Sequence, residues 1–542
     1  MCGITGWIHW ERDLRTQDII VEKMAQTLDH RGPDEKGMWI SPRAALVHRR
    51  LIVIDPQGGK QPMVKKNGAG TFVIVYNGEL YNTQELRNIL EKKGYIFTTR
   101  SDTEVILNSY IEWKEECVHY LNGIFAFAVW SERDQSLYIA RDRFGVKPLF
   151  YLHRERSLIF GSELKAVLAH PEVSAEIDSE GMAEILALGP ARTPGHGVFK
   201  GIKELKPGFY LVFNRKGLRK HCYFKLKSRI HKDNAEKTIE KTKILFKDAV
   251  ERQMVSDMPL CTLLSGGLDS SAISAYAAGV LKSQGKILKT FSVDFAGNER
   301  YFKPNEFQPS SDDPWVKIMS QYLGTEHHRI ILDTPQLIDS LKEAVRARDL
   351  PGMADVDSSL YLFSREIKQE ATVALSGECA DEVFCGYPWF YRKESLTADT
   401  FPWALGLSQR EKVFSKEVRS YCRFADYAAE RYSEALKEVP RLPGENSIKA
   451  RLREISYLTL TRWMPVLLDR KDRMSMAAGL EIRVPFCDHR LVEYVFNVPW
   501  ELKNYGGREK GLLRASLTGV LPEKILQRKK SPYPKTHNPS YL

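Results

Sequence analysis

Residues 265–271 combine hydroxyls, two adjacent glycines and a carboxylate in one short segment, SGGLDSS, directly after an apolar run. Adjacent glycines let backbone N–H groups approach anionic oxygens without interference from a Cβ atom, and the serine hydroxyls add further donors. The apolar continuation at 272–277 predicts a helix whose N-terminus faces the anion. The segment therefore predicts a pyrophosphate site in which Asp269 is placed to hold magnesium.

Glycine and serine are also common in ordinary strand-to-helix turns, so Gly266-Gly267 alone would indicate only a connection. The complete segment resembles the pyrophosphate loop of the ATP pyrophosphatases, enzymes that cleave ATP between the α and β phosphates to adenylate a substrate. It does not match Gly-x-x-x-x-Gly-Lys-Ser/Thr, which argues against a kinase-like or motor-like P-loop. The resemblance implies that ATP and pyrophosphate contact Ser265, Gly266, Gly267, Asp269, Ser270 and Ser271.

A second reactive group stands at the N-terminus, where the sequence begins Met1-Cys2-Gly3. Removal of the initiator methionine would give Cys2 both a thiol and a free α-amine, so that nucleophile and base belong to one residue. The amine has a reference pKa of about 8 and the thiol of about 8.5, so the thiol needs local activation at neutral pH. A cysteine at position two is, by itself, most often structural.

Three downstream motifs change that interpretation: HRRL at 48–51, YNGELYN at 76–82 and SDTE at 101–104. Taken singly, Asn-Gly is also a hairpin signal, and Arg50 would suit a surface ion pair. Together with Cys2, the motifs resemble the class II glutamine amidotransferases in order and spacing. Arg50 is preferred over its neighbour because it directly precedes a leucine, as in the family pattern.

The amidotransferase resemblance implies a defined role for each motif. Cys2 would attack the side-chain amide of glutamine, with its own amine as the base. Asn77 and the backbone N–H of Gly78 would stabilise the oxyanion, and a planar arginine would clamp the α-carboxylate of the substrate. Asp102 and Gly78 would bind the α-amino group. The glutamine-binding residues implied are Arg50, Asn77, Gly78, Glu79 and Asp102.

This chain has amidotransferase motifs in its N-terminal part and a pyrophosphate loop further on. The combination resembles the glutamine-hydrolysing asparagine synthetases and their relatives. The segment 374–382, ALSGECADE, predicts a second strand that ends in a polar loop, where an open α/β sheet binds its ligands. By resemblance, Asp381 would join Asp269 at Mg²⁺. Further site residues implied are Ser376, Gly377 and Glu378 at the adenylate and the ammonia, Leu263 and Val293 at adenine, and Lys510 at the phosphate.

The pattern of elements predicts an α/β protein of two domains. Short β-rich segments separated by helical patterns in the first part favour two antiparallel sheets between helices, the αββα sandwich of N-terminal-nucleophile hydrolases. Four later strands alternate with helical runs, which predicts a parallel-sheet ATP-pyrophosphatase domain with a helical C-terminal part. We expect a glutaminase domain at 2–215, a linker region at 216–240 and an ATP-binding synthetase domain at 241–542.

Three cysteines depart from the family pattern. Cys379 and Cys385 stand where relatives often have glycine in Ser-Gly-Glu-Gly and Phe-Gly-Gly-Tyr, and Cys487 replaces a common leucine. A cysteine would be strained wherever the glycine adopts positive φ, and the loop would then be shaped differently. The eight cysteines include no Cys-x-x-Cys pair, so the sequence does not indicate a metal site built from them.

Composition agrees with a large enzyme. The 542 residues should form two or more domains, and no apolar run reaches membrane length. The first ten residues lack a secretory signal, and sparse cysteines with a reactive thiol fit a reducing cytoplasm. The net charge of +11 is spread along the chain without a nucleic-acid-binding signature, and it suits anionic ligands.

The sequence therefore predicts ATP-dependent synthesis of asparagine from aspartate and glutamine, through an aspartyl adenylate and channelled ammonia, with Mg²⁺ and without nucleic-acid or membrane partners. A homodimer is compatible with it. Three alternatives stay open. The first is glutamine-dependent amidation of a peptide, cell-wall or secondary-metabolite carboxylate. The second is a β-lactam-synthetase-like cyclase, disfavoured by the intact glutaminase residues, and the third is a silent ligand-binding paralogue, whose mark would be loss of Cys2, Asp269 or Asp381.

Overall fold

The computed structural model describes residues 2–305 and 308–541, which form two compact units. The first unit runs to Lys225 and includes Glu411–Tyr427, whereas the second comprises Leu226–Arg410 and Ala428–Leu542. The division at 225/226 falls inside the segment 216–240. None of the described helices has the length and apolar composition needed to cross a bilayer.

Two antiparallel six-stranded sheets form the centre of the first unit, in the orders β10-β8-β9-β1-β3-β2 and β12-β11-β7-β6-β5-β4. The strands are β1 (Gly3–His9), β2 (Glu35–Ile40), β3 (Ala44–Arg50), β4 (Met63–Asn67), β5 (Gly70–Leu80), β6 (Gly123–Ser131), β7 (Ser136–Arg141), β8 (Phe150–Arg154), β9 (Ser157–Gly161), β10 (Ile202–Glu204), β11 (Phe209–Asn214) and β12 (Gly217–Cys222). The helices up to residue 225 are α1 (Asp18–Gln26), α2 (Thr83–Lys92), α3 (Asp102–Trp113), α4 (Leu164–Leu168) and α5 (Ser179–Leu186).

The alternation of side chains along β5 shows how the layers are packed. Val73 and Val75 lie in a core shared with β1, β3 and β9 of the other sheet. Phe72, Ile74 and Tyr76 point the opposite way, into a core shared with α2 and α3. Because side chains alternate between the faces of a strand, one face of β5 serves the inter-sheet core and the other serves the helix layer.

A five-stranded parallel sheet, in the order β15-β14-β13-β16-β17, forms the centre of the second unit. Its strands are β13 (Leu260–Leu263), β14 (Lys289–Phe295), β15 (Glu326–Leu332), β16 (Val373–Leu375) and β17 (Glu481–Arg483). Since all five strands run the same way, the loops that follow β13 and β16 leave the same edge of the sheet.

Helices surround this sheet and make up most of the rest of the chain. They are α6 (Ala235–Arg252), α7 (Leu268–Ser283), α8 (Asn298–Tyr301), α9 (Asp313–Leu323), α10 (Thr334–Asp339), α11 (Leu341–Arg348), α12 (Ala354–Lys368), α13 (Ala380–Val383), α14 (Lys393–Thr397), α15 (Leu407–Arg410), α16 (Lys416–Cys422), α17 (Phe424–Lys437), α18 (Ser447–Leu458), α19 (Met464–Met476), α20 (His489–Phe496), α21 (Trp500–Lys503), α22 (Gly511–Ser516) and α23 (Glu523–Gln527). Of these, α16 and the start of α17 belong to the first unit. The antiparallel sandwich and the separate parallel sheet confirm the predicted fold class.

Candidate functional site

Cys2 lies immediately before β1, next to β3, because Gly3 pairs with Arg49 in the antiparallel register. Its backbone nitrogen donates a hydrogen bond to Asn77 Oδ1 at 3.0 Å, and its Sγ donates to the carbonyl oxygen of Leu51 at 3.8 Å. Asn77 follows Val73 and Val75 at period two along β5, so its side chain shares the face that points toward the other sheet. The alternation of β5 therefore brings Asn77 to Cys2, the predicted nucleophile.

The side-chain amide of Asn77 has an unused hydrogen-bond donor, its Nδ2. Asn77 is fully buried, and its Nδ2 has no hydrogen-bond partner among residues 2–305 and 308–541. The adjacent Gly78 approaches β6 so closely that an added Cβ would lie 2.1 Å from the carbonyl oxygen of Ile124. A buried donor without an acceptor is unfavourable unless a ligand supplies one, and a developing oxyanion beside Cys2 is such an acceptor.

Arg50 ends β3 and is only 3% exposed. Its guanidinium pairs with Glu35 at 2.7 Å and donates to the carbonyl oxygens of Asp55 and Pro56 at 2.7 and 3.0 Å. The loop is tight around it, since a Cβ on Gly59 would lie 2.4 Å from Arg50 Nη2. Arg50 is thus a fixed guanidinium of the planar, bidentate kind that suits a carboxylate.

Asp102 begins α3 and contacts the opposite face of β5. Its Oδ2 accepts hydrogen bonds from the Tyr76 hydroxyl at 3.0 Å and from the backbone N–H of Leu80 at 3.1 Å. Tyr76 and Leu80 flank the segment that contains Asn77, Gly78 and the buried Glu79. Asp102 is therefore hydrogen-bonded to the residues on either side of the predicted glutamine-binding segment of β5.

A buried ion pair that the sequence analysis did not include holds the carbonyl of the nucleophile. Arg31 Nε donates to the carbonyl oxygen of Cys2 at 3.0 Å, and its Nη1 pairs with Glu163 at 2.9 Å. Both side chains of the pair are fully buried, and His30 and Lys165 also contact Glu163. In the sequence, the available signal for Arg31 was its place before Gly32. In the structure, the chain is tightly packed there, since an added Cβ at Gly32 would lie 2.1 Å from the carbonyl carbon of Arg49.

His48 connects the two sheets close to the same site. Its Nε2 donates to the carbonyl oxygen of Tyr76 at 3.0 Å, and the residue is 1% exposed. Burial lowers the pKa of His48 to about 3, since the opposing effect of this hydrogen bond is smaller. His48 is therefore neutral at physiological pH and acts as a fixed link between β3 and β5.

In the second unit, the loop between β13 and α7 is closed by its own serines. Ser265 N and Ser265 Oγ each lie 3.1 Å from Ser270 Oγ, and Gly267 N donates to Ser265 Oγ at 3.4 Å. Gly266 has a φ of 68°, and an added Cβ would lie 2.5 Å from the main chain of Trp315. The loop therefore needs glycine there for its backbone conformation and for the close approach of α9.

A cavity lies at the carboxyl edge of the parallel sheet, above this loop. The predicted residues that line it are Leu263, Ser265, Gly267, Asp269, Ser270, Val293, Ser376, Gly377, Glu378, Asp381 and Lys510. Gly266 and Ser271 are not part of the lining, and Ser271 is fully buried within α7. The cavity therefore contains groups from both predicted loops and from the distant Lys510.

Two lysines neutralise the carboxylates of the cavity. Lys510 Nζ lies 2.7 Å from Asp269 and 2.9 Å from Asp381, and Lys530 forms a further ion pair with Asp381. Burial alone would raise the pKa of Asp381, but the two ammonium groups outweigh it and hold that pKa well below its usual range. Burial would lower the pKa of Lys510, and the two carboxylates raise it instead. Burial raises the pKa of Asp269, and the negative charge of Asp381 adds to that rise, whereas Lys510 opposes it.

The same pair of carboxylates bears on the predicted magnesium site. Among the described residues there is no group of three or more His, Cys, Asp or Glu side chains that could hold a metal by themselves. Mg²⁺ commonly takes only one or two protein carboxylates, with phosphate oxygens and waters as its other ligands. Asp269 and Asp381 fit that pattern, since they already share one cation, the Lys510 ammonium.

Glu378 is held by a pair of cations from α19. Its Oε2 lies 3.2 Å from Lys471 Nζ and 3.6 Å from Arg470 Nη2. Burial would raise the pKa of Glu378, but Lys471 and Arg470 outweigh it and lower the pKa. Sequence reasoning missed both cations, and the run RKDR at 470–473, buried on one helix, was the available signal.

The sequence analysis also missed Arg528, because it counts the basic segment 528–530 as part of a positive charge that is spread along the whole chain. Its guanidinium donates to the carbonyl oxygen of Ser265 at 2.9 Å and pairs with Asp312 at 2.6 Å. It also stacks over the ring of Trp315, with its central carbon 5.2 Å from the ring centroid. Arg528 thus fastens the pyrophosphate loop, while Lys530 reaches Asp381.

Both cysteines that replace family glycines adopt the left-handed backbone conformation, with φ of 77° at Cys379 and 57° at Cys385. The strain expected from the sequence is therefore present, of order 1–2 kcal/mol per residue. Both side chains are buried, and Cys385 packs against Phe390 and Ile455. Burial of the sulfur atoms offsets part of this strain.

Glu382 follows Asp381 in α13 and is only 1% exposed. Its Oε1 accepts a hydrogen bond from the Tyr387 hydroxyl at 2.5 Å. Burial, together with the negative charges of Glu378 and Asp381, raises the pKa of Glu382 to about 8. Glu382 is therefore protonated at neutral pH, which limits the negative charge beside the cavity.

Comparison with known proteins accounts for both parts of the chain. The asparagine synthase family matches residues 241–542, and the glutamine amidotransferase domain family matches residues 1–224. A Bacillus subtilis (strain 168) protein named asparagine synthetase (glutamine-hydrolyzing) 3 is 51% identical, over 100% of this chain and 88% of its own length. Asparagine synthetase (glutamine-hydrolyzing) 1 of the same organism is 32% identical, over 98% of this chain and 87% of its own length.

The raised pKa of Glu382 predicts a pH-dependent contribution to stability. The folded protein holds this proton up to about pH 8, whereas the unfolded chain releases it near the ordinary value of 4.5. The contribution is therefore complete below pH 4.5 and is lost as pH rises toward 8, by about 1.4 kcal/mol for each pH unit crossed. Glu382→Gln mimics the protonated acid, so its unfolding midpoint should rise relative to wild type between pH 5 and pH 8.5, by about 2–4 °C per kcal/mol.

The measurement is thermal unfolding of both proteins across that pH range, with the exposed Glu299→Gln as the control that should track wild type. A constant difference between Glu382→Gln and wild type at every pH would show that Glu382 is ionised in the folded protein.

Proposed function

This chain belongs to the asparagine synthase family, and from that premise we propose that it converts aspartate to asparagine, with glutamine as the nitrogen donor and ATP as the energy source. One observation carries the proposal. The same chain holds a buried cysteine beside a spare amide donor in one unit, and a serine-glycine loop beside a lysine-carboxylate cluster in the other. The first is suited to release ammonia from an amide, and the second is suited to activate a carboxylate with ATP.

In the first reaction, Cys2 exposes a free amine after removal of Met1, and that amine takes the proton of the thiol. The thiolate attacks the side-chain amide carbon of glutamine, and the oxyanion accepts hydrogen bonds from Asn77 Nδ2 and from the Gly78 N–H. Ammonia leaves with the proton, and water then hydrolyses the thioester to glutamate. The hydrogen bond from Cys2 N to Asn77 Oδ1 supports this arrangement, since it fixes the amide with its donor free for the oxyanion.

Substrate binding in this reaction falls to the residues around β5. The Arg50 guanidinium would donate to the α-carboxylate of glutamine, which would replace Glu35 and a loop carbonyl as acceptors of two of its N–H groups. Asp102 and Glu79 supply negative charge for the α-amino group, and Gly78 allows close approach of the backbone. We assign this reaction to residues 2–215 and the synthetase reaction to residues 241–542.

In the second reaction, an oxygen of the aspartate β-carboxylate attacks the α-phosphorus of ATP, and pyrophosphate leaves. The backbone donors of the loop at 265–271, the N-terminus of α7 and Lys510 would take up the charge of the phosphates. Leu263 and Val293, which line the same cavity, would contact adenine, and Ser376 and Gly377 would border the adenylate. Mg²⁺ bound with ATP would be held by Asp269 and Asp381 and would offset the charge of the departing pyrophosphate.

Ammonia then attacks the carbonyl carbon of the aspartyl adenylate, AMP leaves, and the nitrogen loses one proton. Glu378 is the group placed to take that proton, because its carboxylate lines the cavity and is kept ionised by Lys471 and Arg470. After protonation, the same lysine and arginine would no longer be neutralised, which favours return of the proton to solvent.

The test of the proposal compares wild type with Cys2→Ala, supplied with ATP, Mg²⁺ and a panel of carboxylates that includes aspartate. With glutamine, wild type should form asparagine, AMP and pyrophosphate, whereas the variant should lose at least about 1000-fold in rate because the nucleophile is absent. With ammonium in place of glutamine, both proteins should form asparagine at similar rates. Products are identified by mass spectrometry.

Glutamine hydrolysis without amidation of aspartate would overturn the choice of acceptor and favour another carboxylate of the panel. Cys2→Ala that still used glutamine would overturn the choice of nucleophile. The intact N-terminal mass of the purified protein belongs to the same experiment, because the proposal requires that Met1 is removed.

Arg31 is predicted to position the nucleophile through the carbonyl of Cys2. Removal of Arg31 alone would leave the buried Glu163 without its arginine, so the informative variant is Arg31→Met with Glu163→Gln, which removes both charges. We expect kcat for glutamine hydrolysis to fall by about 10–100-fold, since misplacement of the reacting atom by about 1 Å has effects of this size. Asparagine formation from ammonium should stay within about twofold.

The matched control is Arg49→Met, since Arg49 lies in the neighbouring strand β3 and pairs with Asp29 at 2.7 Å near the surface. It should change neither rate by more than about twofold. If the double variant hydrolysed glutamine as fast as Arg49→Met, the contact to Cys2 would have no positioning role.

A further inference from the structure

A second cavity in the second unit has no part in the proposed reactions and shares no lining residue with the ATP cavity. It lies between the first half of α18, the end of α20 and α21. Leu452, Phe496, Pro499 and Trp500 give it apolar walls, and Lys503 stands among them. We refer to this cavity as the Lys503 pocket.

Lys503 is a buried ammonium without an anionic partner. The residue is 6% exposed, and its Nζ donates one hydrogen bond, to the carbonyl oxygen of Phe496 at 3.2 Å. It also lies 5.9 Å from the centroid of the Phe496 ring. Within residues 2–305 and 308–541, Lys503 has no ion pair, so two of its three N–H donors are not accounted for by these contacts.

Burial of an unpaired ammonium is unfavourable, and proteins normally neutralise such a group or place a carboxylate beside it. Burial lowers the pKa of Lys503, the neighbouring Cys385 thiol acts in the opposite direction, and the positive charge of Arg453 adds to the lowering. Capping the last turn of α20 explains one of the three donors and does not explain the charge. An anion in the pocket would supply the partner that the chain does not.

Two other cations that line the pocket are paired with acids. Arg453 forms an ion pair with Glu445, through three contacts of 2.6 to 2.9 Å. Lys449, at the exposed side of the pocket, forms an ion pair with Glu501 at 2.9 Å. Lys503 is the buried cation that these acids leave without a carboxylate, and Arg229 also lines the pocket, at its exposed side.

We propose that the Lys503 pocket binds an organic monocarboxylate, whose carboxylate accepts hydrogen bonds from Lys503 Nζ and whose apolar body packs against Phe496, Pro499 and Trp500. The ligand would be distinct from glutamine, aspartate and ATP. Each of those carries additional charges, which the apolar walls at Phe496, Pro499 and Trp500 would have to bury.

The test uses the full-length protein and phenylacetate, which has one carboxylate and an apolar ring. Isothermal titration calorimetry at pH 7 should show one binding site on wild type. Benzyl alcohol, which lacks the charge, and inorganic phosphate, which lacks the ring, should each bind at least 10-fold more weakly. Lys503→Met should weaken phenylacetate binding at least 10-fold, because it keeps the aliphatic stem and removes the ammonium.

Lys449→Met is the matched control, since this lysine lines the same pocket but is exposed and paired with Glu501. It should change the affinity by no more than twofold. A second variant, Leu442→Trp, fills the partly exposed side of the pocket and leaves Lys503 in place. It should also abolish binding, which keeps the test decisive if Lys503→Met does not fold.

Three results would overturn the proposal: no phenylacetate binding by wild type, equal binding by wild type and Leu442→Trp, or phosphate binding as tight as that of phenylacetate. No step of this experiment uses an activity assay. The outcome is therefore independent of whether the chain makes asparagine.

Discussion

Charged groups that are buried away from water need partners of opposite charge, and this constraint organises both units of the chain. In the first unit, Arg31 and Glu163 are both fully buried, and Arg31 holds the carbonyl of Cys2 in place beside β5. In the second unit, Lys510 serves two carboxylates at once. Each arrangement places a charge next to reacting groups at a fixed distance, which a hydrated and mobile side chain would not do.

The lysine-carboxylate cluster also has a consequence for the order of events. Asp269 and Asp381 are paired with lysines, and the lining of the cavity holds more lysine and arginine than acidic side chains. In the proposed reaction, Lys510 would turn from the carboxylates to the phosphates of the nucleotide, and Asp269 and Asp381 would then be available to Mg²⁺. Glu382, protonated beside them, keeps a third negative charge out of this exchange.

The residues proposed to touch substrates occur in short, ordered motifs, which is why the sequence singles them out. Cys2 and Asn77 are joined by a hydrogen bond, and much of the loop at 265–271 lines the cavity of the second unit. Period-two and helical patterns likewise predicted the two kinds of sheet. For Cys379 and Cys385 the sequence predicted strain only where the backbone has positive φ, and both residues have left-handed φ values.

The supporting groups could not be predicted in this way, since they are brought in by the fold. Lys530 lies far along the chain from Asp381, and Arg31 is separated from Glu163 by most of the first unit. Neither pair has a local spacing that would distinguish it from solvated charge. Burial was the missing information, because a lysine on the surface and a lysine in a cavity have the same letter in a sequence.

The alternation along β5 has a consequence for how this chain tolerates insertions. Asn77 points toward Cys2 on one face, whereas Tyr76 points toward Asp102 on the other. One extra residue between Phe72 and Asn77 would exchange the two faces of everything that follows, unless a bulge absorbed it. Length changes in this strand should therefore be far rarer among functional descendants than substitutions, whereas the turn at 67–70 can lengthen freely.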